Sequence, residues 1–166
     1  MKQNAKELAK IISEISGKEE RLLYYPPEEI EEIIREKRAV ILKEEGKIAG
    51  FGSWSLRGGD WAEIDMLYVA PEFRKRKYLG RILAMIFRRV KHEAKKVVIF
   101  TRAPQVKREA GKFGFRSLPT LYRLPVKVLG KLFVHRFHPR RWRPCVMKYG
   151  LKLSRLGMIC TLIKEL

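Results

Sequence analysis

The spacing of apolar residues changes several times along the chain, and each change predicts a different element. Leu8, Ile11, Ile12 and Ile15 recur at helical spacing behind Asn4-Ala-Lys-Glu7, which has the form of a capping box, and Gly17 marks the helix end. Pro26-Pro27-Glu28-Glu29 opens a second helix, with proline and acids where a helix start favours them and Ile30, Ile33 and Ile34 as the buried stripe. From residue 39 the period shortens to that of strands. Residues 39–42 and 47–56 read as two strands joined through Glu44-Glu-Gly46, a hairpin signal, and Arg57-Gly-Gly-Asp60 is a second tight turn. Residues 61–69 form the next strand. Strict alternation puts Ala62, Ile64, Met66 and Tyr68 on one face and Glu63, Asp65, Leu67 and Val69 on the other. Pro71 has no N–H to donate and stops that ladder.

The helical period returns at Ile82, Leu83, Ile86, Phe87, Val90 and Ala94. A strand over residues 97–100, a helix near residues 105–112 and a strand from Gly114 follow. Beyond Pro119 the pattern weakens: residues 124–129 read as strand or short helix, 136–144 as an irregular basic segment and 145–148 as a strand. Leu156, Ile159, Cys160 and Ile163 fall on one helical face flanked by Lys152, Arg155 and Lys164. They predict an amphipathic helix or tail docking on the core or on a second subunit, with a membrane-surface helix as the weaker alternative. Together these elements predict one α/β (α+β) domain over residues 1–150, a mixed and mostly antiparallel sheet flanked by helices, with residues 151–166 as a basic tail.

Four consecutive cations, Arg74, Lys75, Arg76 and Lys77, lie between the third strand and the helix after it. A helix start leaves backbone N–H groups unpaired, with the positive end of the dipole behind them. Cations added to that turn make it a candidate phosphate seat, set against the plainer reading of a solvated basic loop.

The order of apolar strand, Val69-x-Pro71-x-x-Arg74, basic loop and amphipathic helix resembles motif A of the GNAT superfamily, the acetyl-CoA-dependent N-acetyltransferases. Further on, Ala110-Gly-Lys-Phe-Gly-Phe-Arg116 resembles that family's second signature, Tyr-x-Lys-Leu-Gly-Phe. The resemblance covers residues 4–120, with an echo at Val146-Met147. It implies acetyl-CoA as co-substrate and no metal. It also implies that the backbone of Leu67, Tyr68 and Val69 pairs with the pantetheine arm and polarises the thioester carbonyl. The diphosphate would then lie on Arg74, Lys75, Arg76, Lys77, Tyr78, Leu79 and Gly80. The family's loop is Arg/Gln-x-x-Gly-x-Gly/Ala, whose small residues let amides approach the pyrophosphate. Alignment on Arg74 puts Lys77 and Leu79 at those places, and a slide by one brings in Gly80 but sets Lys75 in place of the Arg/Gln. The signature tyrosine, often the general acid, falls on Ala110; Tyr122 and Tyr149 are alternatives that match no motif.

Acyl transfer needs a neutral amine, and a lysine-like amine of pKa ~10.4 costs on the order of 4–5 kcal/mol to deprotonate at pH 7. A carboxylate can take that proton, directly or through water. Ala62-Glu63-Ile64, placed 11 residues before Arg74, resembles the histone-acetyltransferase branch, where a Glu so placed is the general base. Glu63 is thus the first candidate base and Asp65 the second, against the plainer reading that one or both face solvent on a half-exposed strand.

Charge adds a further expectation. Residues 1–72 hold 11 Lys/Arg and 15 Asp/Glu, or −4; residues 73–166 hold 26 and 3, or +23, summing to +19. Coenzyme A explains a local patch of this field but not the whole C-terminal third, so RNA, the ribosome or an acidic substrate enter as partners. Heat adaptation, with charged residues on solvated faces, is the alternative. Like charge disfavours a strongly cationic acceptor. An amine on an acidic small molecule, a protein N-terminus or an RNA-bound protein fits better. A GNAT-fold module binding RNA or another polyanion, with Phe137 and Trp142 among Arg136, Arg140, Arg141 and Arg143, is the competing class. An interaction subunit or homodimer built through the tail is a third. Only Cys145 and Cys160 occur, with His92, His135 and His138, and none has metal-ligand spacing; with no apolar N-terminal run or span-length apolar segment, this points to a cytoplasmic protein.

Overall fold

The structure, a computed structural model, describes residues 2–19, 22–74, 76–118, 126, 129–130 and 160–166, the side chains of residues 2–4 and 160 excepted. Helix α1 (Lys2–Lys18) and helix α2 (Pro27–Arg35) come first, then strands β1 (Ala39–Glu44), β2 (Lys47–Gly58) and β3 (Trp61–Val69). A single 3₁₀ turn (Pro71–Phe73) leads to α3 (Tyr78–Val90), followed by β4 (Lys96–Thr101), α4 (Pro104–Lys112), β5 (Arg116–Leu118) and β6 (Cys160–Glu165). The six strands form one sheet in the order β1-β2-β3-β4-β6-β5. The β3–β4 pair is parallel and the other neighbours are antiparallel, the mixed α/β sheet expected from the sequence. Among the described residues no helix is long and apolar enough to cross a membrane.

Each face of the sheet has its own apolar cluster. On one, Ile82, Leu83, Ile86 and Val90 of α3 meet Trp54, Ala62, Ile64 and Val97, with Val106 and Ala110 arriving from α4. Each fully buried Ile or Leu there contributes roughly 1.5–3 kcal/mol. On the other, Ala9, Ile12 and Ile30 of α1 and α2 cover Phe51 and Met66. Close docking of α3 depends on two glycines of β2. A Cβ on Gly52 would stand 2.7 Å from Ile82 Cγ2 and 2.9 Å from Ile86 Cδ1; one on Gly50 would stand 2.7 Å from the Tyr68 carbonyl oxygen.

Three sequence expectations change. Helix α1 begins by Lys2 and runs through Gly17 to Lys18, so Asn4 lies inside the helix rather than capping it. The predicted C-terminal helix is a strand over its described part: Cys160–Glu165 pairs with β4 on one side and β5 on the other. Its Leu162 joins the α3-side core and Ile163 the opposite face. A strand buried on both sides shows a short apolar run rather than alternation, and that run also fits helical spacing. Third, β3 does not alternate strictly. Ser53 pairs with Met66 but Trp54 with Ile64, leaving Asp65 as an extra residue in a β-bulge. Beyond it, Leu67 and Val69 pack with the α3-side core and Met66 and Tyr68 against the α1–α2 side, each on the face opposite to its predicted relation with Ala62 and Ile64.

Candidate active site

The bulge lies where β3 and β4 part. Strand β3 pairs with β4 only over residues 61–64, matched to residues 96–99, while its pairing with β2 continues to Val69 opposite Gly50. Strand β4 meanwhile pairs with β6 along its whole length. A bulge bends its strand and adds local twist, so the limb of Leu67, Tyr68 and Val69 diverges from β4 while held by β2. Two strands of one sheet thus enclose a wedge whose β3 wall is backbone, the stretch where the family resemblance implies a pantetheine arm.

At the far end of that limb stands the start of α3. Its N-cap residue, Lys77, takes the left-handed backbone (φ 58°, ψ 14°) usually left to glycine, and makes no side-chain cap. This is one of the two loop positions where the alignment expected a small residue. The first turn carries no acid. A basic, acid-free turn at the positive end of a helix is electrostatically unfavourable until an anion arrives. Buried Tyr78 packs edge-on against Phe73 (5.6 Å between centroids), Leu79 packs on the α3-side core, and Arg81 lies over the Tyr78 ring at 5.1 Å. From α4, Glu109 comes close: its Oε2 lies 3.2 Å from the place of a Cβ on Gly80, while Oε1 accepts from Lys112 at 2.6 Å.

The loop arginines have partners in the N-terminal half. Arg74 donates through Nε to the Val69 carbonyl (3.2 Å) and through Nη2 to Glu19 (3.0 Å). Arg76 donates to Glu44 at 2.8 Å and sits over the Phe73 ring. Tyr68 stacks on Phe51 at 5.2 Å between centroids. Burial raises its phenol pKa, the Glu19 and Glu72 carboxylates add to that, and Arg74 partly offsets them. Lys75, Tyr122, Tyr149, the aromatic-basic segment 136–144 and residues 145–148 lie outside the described residues. Ala110, at the signature tyrosine's place, is buried in the α3-side core.

Both candidate carboxylates are at the vertex, and neither faces solvent. Arg57 of β2 donates through Nε to Glu63 at 2.6 Å and through Nη2 to Asp65 at 2.5 Å. The side chains are 6%, 3% and 0% exposed for Arg57, Glu63 and Asp65. Ser55 donates its hydroxyl to the other Asp65 oxygen. Burial works against the Arg57 charge, but Asp65 and then Glu63 outweigh it and raise its pKa above the ordinary guanidinium value. Sequence reading missed Arg57 and Ser55. The available signal was their place beside the Arg57-Gly-Gly-Asp60 turn, which sets Ser55 directly opposite Glu63.

The sequence profile of the acetyltransferase (GNAT) family matches residues 6–115, about two thirds of the chain. The chain belongs to the GNAT acetyltransferase family. Proteins of solved structure share its fold: Rv2747 from Mycobacterium tuberculosis in complex with CoA and NLQ superposes with a TM-score of 0.69 at 13% identity, over 97% of this chain and 95% of that one. The ribosomal-protein-alanine N-acetyltransferase from Brucella melitensis gives 0.64 at 13% identity, over 100% and 96%. The N-acetylglutamate synthase from Neisseria gonorrhoeae, complexed with coenzyme A and N-acetyl-glutamate, gives 0.62 at 19% identity, over 99% of this chain but 32% of the synthase. At these identities the likeness is one of fold. No curated protein matches this GNAT chain in sequence at a significant level. Its family makes it an acyltransferase.

Proposed function

We propose that the protein moves an acetyl group from acetyl-CoA to a primary amine by direct transfer in a ternary complex. The observation that carries this reading is the joint placement of a wedge opening after Ile64 and a cationic helix start, with no acid in the sequence of its first turn, at the end of the same β3 limb. The pantetheine arm would pair with the backbone of Leu67, Tyr68 and Val69. The diphosphate would lie on Arg74, Arg76 and Lys77 and on the N–H groups of Tyr78, Leu79 and Gly80. Arg74 would exchange its present partner, the Val69 carbonyl, for phosphate. Backbone donors aimed at the thioester oxygen supply electrostatic stabilisation as negative charge develops there. Glu63 is the proposed base and Asp65 its alternative. Both oxygens of Asp65 are engaged, one by Arg57 and one by Ser55, which suits a bracing role.

Acetyl-CoA at about 100 times its Kd should stabilise the fold by about 2.7 kcal/mol. Arg74→Gln/Arg76→Gln should reduce the accompanying rise in melting temperature. Calorimetry that detects no CoA binding at millimolar concentration would end the reading. An amine panel of glutamate, a peptide with a free N-terminal alanine, and spermidine, read by release of CoA thiol, then tests transfer. Glu63→Gln should lower kcat with acetyl-CoA affinity unchanged and flatten the acid limb of the pH–rate profile.

A further inference from the structure

Ser53, Ser55 and Arg57 alternate along β2, and the partners of the two serines, Met66 and Glu63, share their sheet face. Two members of this row serve the buried acids: Arg57 bonds both, and Ser55 bonds Asp65. Ser53 differs. It is 1% exposed, lies beside the bulge that parts β3 from β4, and its hydroxyl has no hydrogen-bond partner among the described residues. A buried hydroxyl without a partner destabilises a fold, so its presence at the vertex calls for a polar guest there. In the acid cluster one guanidinium bonds two buried carboxylates. Without Arg57, burial and mutual repulsion would drive a proton onto one acid and cost it its basicity. Among the described residues the titratable groups acting on Arg57 are Asp65 and Glu63 on β3 and Tyr25 on the segment joining α1 to α2; β4 places Val98 opposite Glu63.

We propose that this row of β2 is the proton path of acetyl transfer: Arg57 is the positioning residue that holds the Glu63 carboxylate in place, and the Ser53 hydroxyl seats the water through which the acceptor's proton reaches it. The proposal rests on the reading of Glu63 as the base. An ammonium acceptor gives one proton through that water to Glu63. The freed lone pair attacks the thioester carbon, a C–N bond forms, and the C–S bond breaks with its electron pair leaving on sulfur. The proton that nitrogen sheds after attack neutralises the departing thiolate. Glu63 then returns its own proton to solvent, and the charge of the cluster is restored.

The test uses the full chain with acetyl-CoA and whichever amine of the panel is acetylated. Ser53→Ala touches none of the bonds that hold the acid cluster, so it should fold and melt close to the wild-type temperature. It should nevertheless lower kcat at least tenfold with the KM for acetyl-CoA unchanged. Arg57→Gln should move the acid limb of the pH–rate profile to higher pH, and Arg57→Lys should restore part of that movement. Wild-type kcat in Ser53→Ala overturns the water seat, and an unmoved acid limb in both Arg57 variants overturns the positioning role. If those variants behave as wild type while Glu63→Gln is inactive, this inference alone falls. If Glu63→Gln retains full activity, the base assignment falls and takes the proton path with it. An acetyl-CoA-binding protein that acetylates no amine of the panel overturns both. Should Arg57→Gln fail to fold, Ser53→Ala and Arg57→Lys still decide.

Discussion

Gly52→Ala adds one methyl group at the closest approach of α3 to the sheet. The new Cβ would stand 2.7 Å from Ile82 Cγ2, 2.9 Å from Ile86 Cδ1 and 3.1 Å from Leu67 Cδ2. Ile82 and Ile86 are fully buried and have no open space to turn into. Overpacking of this kind costs about 1–3 kcal/mol. Replacing a strand glycine returns about 0.5–1 kcal/mol through the unfolded chain. The net loss is therefore up to about 2.5 kcal/mol, and at roughly 2–4 °C per kcal/mol for a chain of this size the midpoint should fall by up to about 10 °C. Because α3 must lift to admit the methyl group, its N-terminus moves with it, and acetyl-CoA should stabilise the variant less than wild type. Scanning calorimetry with and without acetyl-CoA reads both effects. Gly111→Ala is the control: it lies in α4 with nothing within 4 Å of its Cβ position, and should raise stability by about 0.5–1 kcal/mol. A double-mutant cycle identifies the clash. Ile82→Ala alone should cost about 2–5 kcal/mol, and together with Gly52→Ala the loss should fall short of the sum by about 0.5–3 kcal/mol. A Gly52→Ala midpoint at or above wild type, with an additive cycle, would refute the close docking of α3.

Lys77→Gly should stabilise the protein by up to about 1 kcal/mol, because glycine accepts the left-handed backbone that lysine holds under strain; a lower melting temperature in the variant would contradict this. Glu19→Gln and Glu44→Gln release Arg74 and Arg76 for phosphate. Each should tighten CoA binding up to about fivefold at low salt, the equivalent of an exposed ion pair worth at most about 1 kcal/mol, with the gain fading as salt rises. Isothermal calorimetry at two ionic strengths would show it, and unchanged affinity in both variants would dismiss the competition. Tyr68 has a raised folded pKa, so its contribution to stability is complete below about pH 10, the unfolded value, and is lost as pH rises through the folded one. The melting temperature of wild type should therefore fall more steeply above about pH 10 than that of Tyr68→Phe; parallel curves would count against the shift.

Periodicity carried most of the sheet and the helices that face it, because each element buries one face and shows it as a repeat. Residues 61–69 were legible as a strand, but the bulge was not. One extra residue at Asp65 leaves composition and apparent alternation intact while reversing every face beyond it. The two carboxylates were legible from their place ahead of the loop, yet not their burial, since the guanidinium that permits it lies across a hairpin. The orphan hydroxyl of Ser53 could not be read from sequence at all: a serine in a strand usually faces water, and its burial depends on α1 and α2 arriving from elsewhere. Cys160–Glu165 misled for another reason. Its spacing satisfied a helix, and only its place between β4 and β5 makes it a strand.

That placement bears on the order in which the molecule assembles. The first four strands are joined by short turns or by one helix, so their pairing is local and quick to form. Strand β6 reaches its place beside β4 across a long stretch of chain, with Ile163 meeting Val98. Forming contacts across so large a sequence separation is entropically slow relative to hairpin formation. Until β6 pairs, β4 presents a bare edge of Val97, Val98, Ile99 and Phe100. Such an edge recruits strands from other molecules. Refolding yield should therefore fall with protein concentration, set by how long β4 waits for β6.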